Sequence, residues 1–80
     1  MSAVRKLNNF IDSWTPHDKN KGVFVSIPMD GSVQEANEMA QVLMRMVCVK
    51  EFMATRDGML MLVEFSLVKL MDQWHERNGI

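Results

Sequence analysis

The chain has 80 residues, 48% of them hydrophobic and 24% charged, with nine Lys and Arg against ten Asp and Glu. That length holds one domain around one small core, and the apolar fraction excludes intrinsic disorder. The near-balance of charge leaves no electrostatic footprint for DNA or anionic lipid and no acidic surface that could mimic DNA.

At the amino terminus, Arg5 and Lys6 are followed by no apolar run of a signal peptide. Ser2 is placed to cap a first helix over residues 3–13. Val4, Leu7, Ile11 and Trp14 recur at i, i+3, i+7 and i+10, with Phe10 beside them, one apolar stripe on an otherwise polar helix. Thr15-Pro16 ends it, because the residue before proline is pushed out of the helical region. Residues 17–22 (HDKNKG) form a polar loop without periodicity.

The run from Val23 to Ile27 is β-branched and aromatic, so it reads as a strand, with Val23, Val25 and Ile27 on one face and Phe24 and Ser26 on the other. Pro28-Met29-Asp30-Gly31 is turn chemistry. Ser32 with Glu35 then matches a capping box at the head of a second helix over 33–46. Ala36, Ala40, Leu43 and Val47 cluster on it, flanked by Val33 and Met44 on one side and Met39 and Met46 on the other. An arc about 160° wide exceeds what one sheet contact needs, so this helix is expected to touch a second element as well.

Two β-like runs, Val49 to Ala54 and Met59 to Phe65, flank Thr55-Arg56-Asp57-Gly58, a hairpin signal. A two-residue Asp57-Gly58 turn sets Glu51 opposite Glu64, an unfavourable like-charge pair. A three-residue loop with Gly58 left-handed sets Lys50 opposite Glu64, Met53 opposite Met61 and Phe52 opposite Leu62. Charge pairing favours the second register. Ser66 caps a last helix over 67–77, with Leu67, Leu70, Met71 and Trp74 on one stripe and Asn78-Gly79 as the stop.

The expected fold is α+β, in the order α-β-α-β-β-α, as one domain over residues 1–80. Lys50 and Glu51 suit an edge strand, and the run from Met59 to Phe65 is the most apolar, so it belongs in the centre. The result is a three-stranded antiparallel sheet of order 1-3-2, a split β-α-β, with helices packed on it. Helices two and three are expected to share one face. The runner-up order puts the second strand in the centre, parallel to the first. The other face of the sheet then awaits the first helix, a second copy of the chain or a different protein.

Few residues point to chemistry. Asp72 and His75, at i, i+3 on the last helix, lack an evident third ligand and read as a solvated helix face. Cys48 between Val47 and Val49 reads as a small buried hydrophobe, not a nucleophile; as the only cysteine it also allows no internal disulfide. The four glycines are scattered turn residues and form no phosphate-binding loop. No catalytic residue, metal site, cofactor or small-molecule substrate is expected, and no apolar run approaches the length of a membrane span.

The unusual feature is methionine. There are nine, and all but Met1 lie between Met29 and Met71. Met fills irregular cores, and it also serves surfaces that adapt to a partner. Val42 interrupts the polar side of helix two, and Met44, Met46, Met53, Met59 and Met61 are candidates for partial exposure. The expected function is therefore a small non-enzymatic protein-binding module in the cytoplasm, an inhibitor, regulator or adaptor acting by surface occlusion. A chain this short suits a phage or mobile-element accessory protein. Its expected contact residues are Val4, Leu7, Ile11, Trp14, Met53, Met59, Met61 and Val63, and its partner another protein or a second copy in a homodimer. The alternative is a weak nucleic-acid-binding module using loop 17–22 and Arg56.

Overall fold

The computed structural model describes residues 2–17 and 23–79. Residues 18–22, most of the polar loop expected at 17–22, lie outside the described residues. The element order is α1 (Ser2–Ser13), β1 (Phe24–Pro28), α2 (Val33–Arg45), β2 (Val49–Ala54), β3 (Leu60–Phe65) and α3 (Leu67–Asn78). The sheet is three-stranded with order β1-β3-β2, and both neighbouring pairs are antiparallel. This is the small α+β domain that the apolar patterning implies, with the most apolar strand in the middle.

The helix ends follow local chemistry. α1 starts at Ser2 and stops at Ser13, just ahead of Thr15-Pro16. At the head of α2 the Ser32 hydroxyl accepts from the Glu35 amide at 3.0 Å. The reciprocal half of the capping box does not form. Glu35 accepts instead from the Asp30 amide, and the Asp30 carboxylate accepts from the Ser32 amide at 2.7 Å. Hydrogen bonding from the Ser32 side chain first, and from its amide second, holds the Asp30 carboxyl below its ordinary range. In α3 the Ser66 hydroxyl accepts from the Lys69 amide, and Gly79 closes the helix at φ 67°.

The hairpin departs from the expected register. Glu51 pairs with Glu64, Phe52 with Val63 and Met53 with Leu62. The like-charge pairing is therefore present, and Lys50 is accommodated by an irregularity between Val49 and Glu51. From that bulge the Lys50 ammonium still reaches the Glu64 carboxylate, at 3.7 Å. Charge attraction found its partner without setting the register.

The turn sets the register instead. Gly58 N–H donates to the Thr55 carbonyl at 2.9 Å, and Thr55 N–H donates to the Leu60 carbonyl at 2.9 Å. Gly58 takes φ 72°. Asp57 accepts from the Met59 amide at 2.9 Å and from the Thr55 hydroxyl at 2.8 Å, contacts that hold its carboxyl below the ordinary range. The connection thus has four residues, Arg56 to Met59, rather than two or three.

The core joins Ala3 and Leu7 of α1, Ile27 of β1, Met39 and Leu43 of α2, Met61, Val63 and Phe65 of β3, and Leu70 of α3, with Trp14, Met29 and Cys48. Phe10 stacks on Phe65 with ring centroids 5.0 Å apart, which places α1 on the same side of the sheet as Met61 and Val63. α1 touches both β1 and α2, and α2 lies against β2. α1 is thus a neighbour of α2 beside the sheet, and Leu70 of α3 joins Met39 and Leu43 of α2 in the same buried cluster. α3 is also tied to α1: Arg77 donates to the Ile11 carbonyl at 3.2 Å and pairs with Asp12 at 3.4 Å. The molecule is elongated, 40 × 20 × 18 Å.

The buried stripe of α2 is also displaced from the expected centre. Met39 and Leu43 are buried, with Ala36, Val42 and Met46 packed beside them. Val42 therefore belongs to the core side, while Val33, Met44 and Val47 are exposed.

Candidate functional site

Alternation along the strands divides the sheet into two faces. On the inner face Ile27 pairs with Met61, Val25 and Phe52 pair with Val63, and Val49 pairs with Phe65. Met61, Val63 and Phe65 are each 2% exposed or less. On the outer face Phe24 pairs with Glu64, Ser26 with Leu62 and Pro28 with Leu60. Met53 and Glu51 complete it from β2, opposite Leu62 and Glu64. No described helix lies over this side.

The consequence is an apolar face left in solvent. Phe24 is 72% exposed and Met53 65%, and Leu60 and Leu62 keep more than a third of their surface. Phe24, Ser26, Glu51, Met53, Leu62 and Glu64 line a shallow hollow of about 480 Å³ across the three strands. A contiguous apolar surface of this kind on a small chain marks an interaction site more often than chance.

The face carries an unusual charge arrangement. Glu51 and Glu64 sit directly opposite each other on neighbouring strands, a pairing that costs stability. Lys50 offsets one of them through its 3.7 Å contact with Glu64. Glu51 is exposed and forms no ion pair among the described residues. The net charge of this trio is −1.

Past the Glu64 end of the face, the sheet closes in a second hollow of about 470 Å³ lined by Val47, Lys50, Leu67, Val68 and Lys69 among others. Val47 and Val68 are each 68% exposed. Glu64 borders both hollows, and Lys50 lines the second.

The expected contact residues separate cleanly on this geometry. Met53 lies on the outer face. Met59 is 49% exposed, but it sits at the tip of the hairpin, where its amide is held by Asp57 and its sulfur lies beside Gly31. Leu7, Trp14, Met61 and Val63 are core residues, and Val4 and Ile11 are half-buried against them. They are buried because α1 folds onto the inner face and its stripe is consumed there, and because Met61 and Val63 point to that face. The outer face is formed instead by Phe24, Leu60, Leu62, Glu51 and Glu64 with Met53. The signal for them was the phase of Glu64: in a strand it shares a face with Leu62 and Leu60, so the single charge in that apolar run marks the solvent side.

Elsewhere, Cys48 is fully buried, and burial pushes its thiol above the ordinary range, away from the reactive thiolate. Asp72 is exposed, and His75 lies edge-on to Trp74 at 5.3 Å. Among the described residues no group of three His, Cys, Asp or Glu is placed to hold a metal, and no helix is long and apolar enough to cross a membrane. Comparison with protein-family models, with curated proteins and with solved structures gives no match.

Proposed function

We propose that this chain is a non-enzymatic protein-binding module, an inhibitor, regulator or adaptor that lays the open face of its sheet on another protein and occludes it. The observation that carries this reading is the one-sided placement of the helices. α1 and α2 pack on the inner face, while Phe24, Leu60, Leu62 and Met53 stand uncovered on the other. Apolar side chains in that position add little to the stability of the free chain and gain their full burial energy only when a second surface covers them. The charges on the face weigh against a phosphate backbone as the target. Glu51 and Glu64 would repel it, and Lys50 is already engaged.

Two measurements test the reading. A Phe24→Ser, Met53→Ser double variant should melt within a few degrees of the parent, because surface substitutions usually stay within about 0.5 kcal/mol each. A loss as large as that of a core truncation would mean that the face is covered in the free chain, and the reading would fail. A photoreactive residue at position 53 should crosslink a protein in the cell of origin, and the same residue at exposed Asn37 should not.

A further inference from the structure

We infer that the occupant of the outer face is a single amphipathic helix of a partner protein, carrying a Lys or Arg that settles between Glu51 and Glu64. The inference rests on the protein-binding reading above and adds the chemistry and shape of the partner.

Size argues for a helix. Neighbouring strands lie about 4.8 Å apart, so the outer strands of three are separated by about 10 Å. An α-helix with its side chains is about 10–12 Å across. The six residues of β3 run for about 20 Å, the length of a helix of about 13 residues. A second copy of the chain fits less well. The face offers roughly 300–400 Å², against about 800 Å² that each side of a standard interface buries.

Charge argues for a basic residue on that helix. Glu51 and Glu64 are cross-strand neighbours within the apolar surface, and among the described residues Lys50 pairs with Glu64 while Glu51 has no ion-pair partner. A guanidinium or ammonium group arriving from above would sit near both carboxylates and relieve their repulsion as the apolar contacts desolvate them. Phe24, Leu62 and Met53 flank that point on all three strands, with Met53 supplying an adaptable contact. An acidic helix with the same apolar side would place a third negative group in the same spot.

The test uses the full chain and three synthetic helical peptides with one shared leucine face. Their polar faces are Lys and Arg, Glu, or Gln and Ser. Binding is followed by backbone amide shifts, with sedimentation over a concentration series alongside. The basic peptide should bind about tenfold tighter than the neutral one, with shifts centred on Phe24, Glu51, Met53, Leu62 and Glu64. The Glu51→Gln, Glu64→Gln variant should lose that tenfold, while a Glu38→Gln, Glu76→Gln control should keep it. Equal binding of all three peptides at the face would overturn the basic partner and leave the protein-binding reading standing. Concentration-dependent dimerisation that perturbs the same residues would overturn the helix in favour of a second copy. Failure of every peptide to shift the face, in a chain that stays monomeric, would overturn the inference and count against the protein-binding reading too.

Discussion

The two faces of β3 are built from nearly the same side chains and do opposite work. Met61, Val63 and Phe65 point inward and are closed off from solvent, while Leu60 and Leu62 alternate with them, point outward and stay wet. Composition therefore does not say which face is core. The helices decide it, and the helices choose the inner side because α1 arrives there with Phe10 against Phe65. Hydrophobic burial on one side stabilises the fold, and the same chemistry on the other side is left exposed, where we propose that it serves recognition.

The largest test of this contrast uses consecutive residues. Met61→Ala should destabilise by about 2–5 kcal/mol, since it empties a fully buried site. Leu62→Ala should cost about 1 kcal/mol or less, because that side chain already touches water. Urea denaturation of both variants reads the difference. Equal costs would mean that the outer face is packed in the free chain.

A smaller effect is expected at the turn, which determines which residues face which way. A one-residue slip of a strand exchanges its faces, so the device that sets register also sets which side chains make up the proposed binding surface. Gly58 has φ 72°, and a Cβ there would lie 3.2 Å from the Gly31 carbonyl oxygen. Backbone cannot swing aside as a side chain can. Gly58→Ala should therefore cost about 1–2 kcal/mol, read as a lower urea midpoint with an unchanged slope.

Strand order and element boundaries were legible because they follow from periodicity, caps and edge tolerance, all of which are local or nearly so. The register was not. Pairing Lys50 with Glu64 is a sound electrostatic preference, but surface ion pairs contribute about 0–1 kcal/mol, less than burying Phe52 on the inner face with Val63. The backbone resolves the conflict with a bulge that serves both. The side taken by α1 was also out of reach. Its stripe fits either face equally well in sequence, and the contact that identifies the face comes from Phe10, beside the i, i+3, i+7 series, stacked on the ring of Phe65. For that reason Leu7 and Trp14 looked like contact residues and proved to be core.

The smallest effect separates the two registers most directly. In the observed pairing Glu51 faces Glu64 on the outer side. Replacing it with lysine converts a repulsive cross-strand pair into an attractive one, so Glu51→Lys should stabilise the chain by about 0.2–0.5 kcal/mol at low salt. Glu51 is exposed, so most of that gain should vanish in molar salt. In the slipped register, with Lys50 opposite Glu64, position 51 would instead stand across from Val63 on the inner face. A lysine there would be buried among apolar groups and destabilise the chain well beyond 1 kcal/mol, whatever the salt. Urea midpoints at two salt concentrations distinguish these outcomes by sign. The same substitution removes one of the two carboxylates proposed to receive a basic partner, so a more stable chain that binds the basic peptide more weakly would show Glu51 retained for binding at a cost to the fold.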